Sequence, residues 1–302
     1  MGKIALLSAP TNLGLRPPET FSVPGCSKAP EALREAGLFR FFNEIGGKDA
    51  GVIIPGRYSD KISIGRIRNE DEIIRYSRKV QERVTGILEG GNTPLIIGGD
   101  CSLLIGIGLS LKRRGSYGLV HIDGHTDFRH PGNSSKCVNL AGEELAAVMG
   151  LHYPEISNID GFGPYFDPGK TVHCGCRDND EHLSEASDKL RLVIPARNAI
   201  EDGMAETGKR ILNALQESGA QSYWLHIDLD VLDPSVMPAV DSPDDGGFEG
   251  EHLAELMNFL ATGAIGADIT IFDPDLDPDG KYAIYIVKII AEGLNNLGGM
   301  HV

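Results

Sequence analysis

Leu119-Val120-His121-Ile122-Asp123-Gly124-His125-Thr126-Asp127 starts as an apolar strand and ends in three side chains able to bind a metal, at alternate positions. In extended chain alternate residues share one side, so Asp123, His125 and Asp127 project together. A second stretch, Leu225-His226-Ile227-Asp228-Leu229-Asp230-Val231-Leu232-Asp233-Pro234, repeats the plan with Asp228 and Asp230. Carboxylates gathered in a low-dielectric cleft repel one another and lose hydration, so such a group calls for a cation. Carboxylates with one imidazole suit Mn²⁺ best on ligand hardness, with Zn²⁺ or Fe²⁺ as alternatives.

Further apolar, β-rich runs lie on either side: Ile4 to Leu7, Val52 to Ile54, Pro94 to Ile97, Gly118 to Ile122, Thr171 to His173, Leu192 to Ile194, Tyr223 to Ile227 and Ala267 to Phe272. Between them stand helical stretches such as Pro30 to Gly37, Asp71 to Glu89, Gly142 to Met149, Glu201 to Glu217 and Glu251 to Leu260. Strand alternating with helix predicts right-handed crossovers and a three-layer α/β/α fold with a mostly parallel sheet of about eight strands. No linker or repeat interrupts residues 1–302, so one domain is expected. Four strands run into loops rich in polar residues: Gly98 to Ser102, Asp123 to Asp127, Gly175 to Asp180 and Asp228 to Pro234. Ligands of open α/β sheets bind at that edge, where residues distant in sequence converge. Asn133 to Cys137 and Ser157 to Lys170 read as long loops.

Composition narrows the partners. A formal charge of −15 disfavours nucleic acid and anionic membranes and leaves small molecules as the expected ligands. No apolar run reaches the roughly 18 residues of a spanning helix, and Met1-Gly2-Lys3-Ile4 does not read as a signal peptide. A cytoplasmic location is expected, with the five cysteines as free thiols.

The sequence resembles the ureohydrolase family of arginases, agmatinases and formimidoylglutamases. The resemblance is carried by Ser8-Ala9-Pro10, Gly25-Cys26-Ser27-Lys28-Ala29-Pro30 with Leu33-Arg34, Gly98-Gly99-Asp100, the two metal motifs, Gly175-Cys176-Arg177-Asp178-Asn179-Asp180, and Asp233-Pro234 with Pro238. It implies an arginase-like fold and two Mn²⁺ ions: Asp123 and Asp228 bridge both, Asp127 binds one, and His125 and Asp230 bind the other. It also implies a metal-activated hydroxide that attacks a guanidino, amidino or formimino carbon, and assembly as a trimer or hexamer.

Three positions depart from the family pattern. Cys101 stands where the family places a histidine ligand, and a thiolate there would favour Zn²⁺ or Fe²⁺. In Asn139-Leu140-Ala141-Gly142, Ala141 replaces the proton-shuttling histidine of arginases, which makes Glu144 the expected acid, with Glu143, His130 and His152 as further candidates. Ile271 replaces a glutamate that holds a guanidinium, and Asp273, Asp275 or Asp277 is expected to substitute for it. Arg129, Asn139 and Asp180 complete the expected site, Arg129 as the bidentate partner of a substrate carboxylate and Asp180 as the partner of its amino group. The alternatives are a related metallo-amidohydrolase or deacetylase-like enzyme, and a catalytically silent member that binds a metal or metabolite.

Overall fold

A computed structural model describes residues 2–299. Along the chain run β1 (Ile4–Ala9), α1 (Ala29–Glu35), α2 (Leu38–Glu44), β2 (Lys48–Val52), α3 (Glu70–Glu89), β3 (Thr93–Gly98), α4 (Leu103–Lys112), β4 (Gly118–Ile122), α5 (Glu144–Val148) and α6 (Pro154–Ser157). They are followed by β5 (Thr171–Cys174), α7 (Leu183–Lys189), β6 (Leu192–Ile194), α8 (Ala196–Asp202), α9 (Met204–Glu217), β7 (Tyr223–Asp228), α10 (Gly250–Ala261), β8 (Ala264–Thr270) and α11 (Lys281–Leu294). The strands form one eight-stranded sheet in the order β2-β1-β3-β8-β7-β4-β5-β6, and each neighbouring pair is parallel.

Alternation along the strands separates two cores. Leu6, Leu95, Val120, Leu225 and Ile269 face α1, α2 and α9 to α11, while Leu7, Ile96, Leu119 and Trp224 face α3 to α5. On α3, Ile73, Tyr76, Val80, Val84 and Ile87 recur at helical spacing and form its buried stripe. On α4, Leu103 to Leu111 are all buried, because the helix packs against both α3 and α5. Its Gly106 faces the backbone of Ser77 so closely that a Cβ would stand 2.6 Å from the carbonyl oxygen.

Three expected boundaries move. β2 covers Lys48–Val52 rather than Val52 to Ile54, because it is a solvent-exposed edge strand whose hydrophobicity does not mark it. Glu201 to Glu217 is two helices, α8 and α9, separated by Gly203 at φ 81°. β8 stops at Thr270 instead of reaching Phe272, because Ile271 adopts φ 73°, a left-handed conformation rare for a β-branched residue.

Candidate metal centre

The turns that follow β3, β4 and β7 bring the expected ligands together at the carboxyl edge of the sheet. Asp123 begins the turn after β4; its Oδ1 accepts the His125 N–H at 2.6 Å, and its buried Oδ2 has no hydrogen-bond partner. Asp127 takes φ 46°, a left-handed conformation that aspartate tolerates. Asp228 closes β7: Oδ1 accepts the Asp230 N–H at 2.8 Å, and Oδ2 accepts the Cys101 thiol at 2.8 Å. Cys101 is fully buried in the turn after β3. That turn sits directly on the chain beyond β1, where a Cβ on Gly99 would stand 2.0 Å from the Thr11 carbonyl oxygen. Asp230 accepts the Gly124 N–H at 3.0 Å and lies 2.9 Å from His125 Nδ1.

Two groups of potential ligands therefore share Asp123. Donor atoms of Cys101, Asp123 and Asp228 lie within 4.8 Å of one another, and so do those of Asp123, His125 and Asp230. Asp127 stands beside the Glu144 carboxyl, and each acts on the charge of the other.

The charges report the strain of this packing. Burial pushes the Asp123, Asp127 and Asp228 carboxyls well above the ordinary carboxylate range, and neighbouring carboxylates push further: chiefly Asp127 on Asp123, Glu144 on Asp127 and Asp230 on Asp228. Glu144 is raised by burial and then by Asp228 and Asp230. His125 goes the other way, lifted to about 10 by the adjacent Asp230 against the opposing effect of burial. For Asp230, burial acts upward, but the His125 ion pair and the Gly124 N–H hold it below the usual range. Burial and Asp228 raise the Cys101 thiol well above its ordinary value. Buried carboxyls that resist ionisation, with Asp123 Oδ2 lacking a partner, form a donor set that fits divalent cations.

A cavity of about 380 Å³ opens over the centre. His125, Asp127, Asp228 and Asp230 line it, as do Arg129, Asn139 and Asp180, whereas Cys101 and Asp123 are fully buried and do not line it. Ala141 and Ile271 also line it, so two of the three departures from the family pattern face the same space. Arg129 is about a third exposed, with Nη1 4.0 Å from the Glu143 carboxylate. Asn139 Oδ1 accepts a hydrogen bond from Arg68 at 3.1 Å. Burial tends to raise Asp180, but bonds from the Thr126 hydroxyl (2.6 Å), the Thr126 N–H (2.9 Å) and the His182 N–H (2.8 Å) outweigh it and keep the group below the usual range.

The other candidates are placed elsewhere. Glu144 is fully buried outside the cavity, with Oε1 3.0 Å from His121 Nε2. Glu143 and His152 form a buried pair at 2.8 Å, and His130 pairs with Glu185 at 3.1 Å. The acidic loop after β8 serves the fold: Asp273 accepts the Gly25 and Asp275 N–H groups, Asp275 pairs with Lys28, and Asp277 accepts N–H groups of Tyr282 and Ala283 in the first turn of α11. None of the three lines the cavity.

The sequence reading missed Arg16, His182, Asp241 and Asp244, which also line the cavity. His182 carried a usable signal, being two residues beyond Asp180 in the same loop; its buried Nε2 makes no hydrogen bond and lies 3.8 Å from the Glu181 carboxylate. Asp244 lies on a loop without periodicity or motif, yet its Oδ2 is 3.2 Å from His125 Nε2.

Known proteins support the resemblance. A family model described as "Arginase family" matches residues 2–294. The chain is 28% identical to arginase of Bacillus subtilis over 273 residues, covering 87% of this chain and 91% of the relative. It is also 28% identical to arginase of Bacillus caldovelox over 300 residues, covering 96% and 97%. The solved structure of Bacillus caldovelox arginase superposes with a TM-score of 0.86 at 26% identity, covering 97% of this chain and 98% of that one. Formimidoylglutamase from Bacillus subtilis shares the fold with a TM-score of 0.76 at 18% identity, covering 97% and 86%. A match over nearly the whole chain, joined to the arrangement of these carboxylates, leads to one conclusion: the chain belongs to the arginase family, enzymes that hydrolyse non-peptide C–N bonds of linear amidines.

Proposed function

We propose that residues 1–302 form one metal-dependent hydrolase that cleaves a guanidino or formimino compound carrying a carboxylate. The observation that carries this reading is the cavity on which His125, Asp127, Asp228 and Asp230 converge while Arg129 stands on its wall. Cys101, Asp123, His125, Asp127, Asp228 and Asp230 would hold two divalent cations, Mn²⁺ on the carboxylate-rich side and Zn²⁺ or Fe²⁺ where the thiol contributes. Such cations, when bound, supply a nucleophile from water at neutral pH and polarise the carbon under attack. Water adds to the amidino carbon and the C–N bond to the amine breaks; the products are urea or formamide plus the amine, which takes up a proton.

The protein's own groups bind and orient the substrate. Arg129 pairs with its carboxylate and Asp180, already fixed by Thr126 and His182, meets its amino end. Ala141 offers no proton, and Glu144 does not line the cavity, so the leaving amine receives its proton from a cavity group; His182 is the imidazole placed there besides His125. The apolar Ile271 wall favours a formimino or other amidine end over a full guanidinium, which is the specific reason to keep a related amidohydrolase as a second reading.

The test is release of urea, ammonia or formamide from arginine, agmatine, guanidinobutyrate, guanidine and formiminoglutamate, with the protein loaded in turn with Mn²⁺, Zn²⁺ and Fe²⁺. Turnover of formiminoglutamate or a carboxylated guanidine supports the reading. No turnover with any metal would overturn it.

A further inference from the structure

Across the middle of the sheet, on the face covered by α5, runs a row of titratable side chains that do not line the cavity. Strand register sets His173 beside His121, His121 beside His226 and His226 beside Asp268, on β5, β4, β7 and β8 in turn. All four are fully buried. His121 is two residues before Asp123, and His226 two before Asp228, so strand alternation turns the histidines to the same face as those carboxylates. Glu144, the first residue of α5, approaches the row: its Oε1 is 3.0 Å from His121 Nε2, which is itself 3.5 Å from Asp123 Oδ2. The His226 ring stacks on His121 with centroids 4.8 Å apart.

Four buried atoms along this row lack any hydrogen-bond partner, His173 Nε2 at its outer end and three around Glu144: Asp123 Oδ2, Glu144 Oε2 and His226 Nε2. Buried polar atoms are ordinarily satisfied, so three together mark a place for something that satisfies all of them. Donor atoms of His121, Asp123, Glu144 and His226 all lie within 4.8 Å of one another. The outer sides of both rings are already occupied. Asp268 Oδ1 accepts the Trp224 indole N–H at 2.6 Å, and its Oδ2 lies 2.7 Å from His226 Nδ1, which assigns the proton to Nδ1 and turns the Nε2 lone pair inward. His121 Nδ1 meets His173 Nδ1 at 2.9 Å; with the shared proton on His121 Nδ1, the Nε2 lone pair faces the Glu144 and Asp123 carboxylates, where a cation would join all three.

We propose that His121, Asp123, Glu144 and His226 form a buried binding site for one divalent first-row cation, beneath the cavity ligands and sharing only Asp123 with them. Two imidazoles and two carboxylates favour Zn²⁺ or Fe²⁺ over Mg²⁺ or Ca²⁺. The carboxylate behind an imidazole that metal-binding histidines commonly use is present in Asp268 and His226. A proton in place of the cation would join Glu144 to His121 and leave Asp123 Oδ2 and His226 Nε2 without partners. The site shares Asp123 with the proposed catalytic centre, but stands whether or not the hydrolase reading holds.

The test uses full-length protein stripped with a chelator and reloaded with Zn²⁺ alone, its metal counted by mass spectrometry and its ligands identified by X-ray absorption. His125→Ala removes the cavity imidazole, and the expected spectrum still shows Zn²⁺ bound by two imidazole nitrogens. Glu144→Gln and His226→Gln are each expected to lose one equivalent of Zn²⁺ per chain or to bind it at least tenfold more weakly. Absence of imidazole nitrogen in the His125→Ala spectrum, or wild-type Zn²⁺ content in folded Glu144→Gln, would overturn the site. Should the buried-site variants fail to fold, the His125→Ala spectrum decides alone. Failure of the hydrolase reading shows separately, as bound metal without turnover.

Discussion

Cys101 and Asp228 are in direct contact, thiol to carboxylate at 2.8 Å, across two turns that lie 127 residues apart in the chain. A histidine at position 101 would offer a harder donor in the same place. Cys101→His is expected to strengthen Mn²⁺ binding about tenfold or more, since imidazole suits that ion better than a thiolate. Placing the larger ring in a closed site should lower stability by about 1–3 kcal/mol. Mn²⁺ titration followed by electron paramagnetic resonance, together with thermal unfolding, checks both; unchanged Mn²⁺ affinity would show that residue 101 is not a ligand.

Asp228→Asn removes a carboxylate from the group shared with Cys101 and Asp123. Metal content should fall, and kcat with it, by on the order of 100-fold or more. After chelation the same variant is expected to be more stable than wild type near pH 8, because it no longer has to ionise a buried carboxyl crowded by Asp230. Retained metal content would rule out a bridging role for Asp228.

Stability of the chelated protein should depend on pH with a definite sign. Asp123, Asp127, Asp228 and Glu144 hold their protons more tightly folded than unfolded. Their contribution is fully present below the unfolded values, about 4, and is lost as pH rises through the raised folded values. His125, raised to about 10, acts in the same direction above its unfolded value of about 6.5. The unfolding midpoint of chelated protein is therefore expected to fall from pH 5 to pH 8, and saturating metal should flatten that slope. Equal midpoints at both pH values without metal would contradict this account.

Arg129→Met should separate substrate binding from chemistry. A charge-assisted pair with a carboxylate contributes roughly 1.5–3 kcal/mol, so KM for a carboxylate-bearing substrate should rise about 10- to 100-fold with kcat less affected. Agmatine, which has no carboxylate, serves as the control and should be handled equally by both proteins.

Ile271→Glu returns an acid to the cavity wall. The expected outcome is a gain of about tenfold in kcat/KM for guanidino substrates relative to formiminoglutamate, at some loss of stability from the added buried charge. An unchanged ratio would mean that residue 271 does not select the amidine end.

The fold was largely legible because its signals are local. β4 and β7 announce themselves as apolar runs ending in alternating ligands, and α3 by its buried stripe. α4, apolar on every side, gives no helical period, and the exposed β2 gives no hydrophobic one. Within the site, Asp123, His125, Asp127, Asp228 and Asp230 could be found from alternation, whereas Asp244 reaches His125 only through the path of its loop. The histidines were hidden differently. His121 and His226 stand on strands as though they were packing residues, and their partnership depends on β4 lying next to β7, a neighbourhood that separation in sequence does not disclose.

Buried acids at the ends of β4 and β7 also bear on the life of the chain inside a cell. Folding has to gather these carboxylates at the ends of the inner strands, and a cation that binds only the folded form would pull that step forward by mass action. Under metal starvation more of the population would remain open to proteases. The amount of this protein would then follow the supply of free metal, without any change in the rate at which it is synthesised.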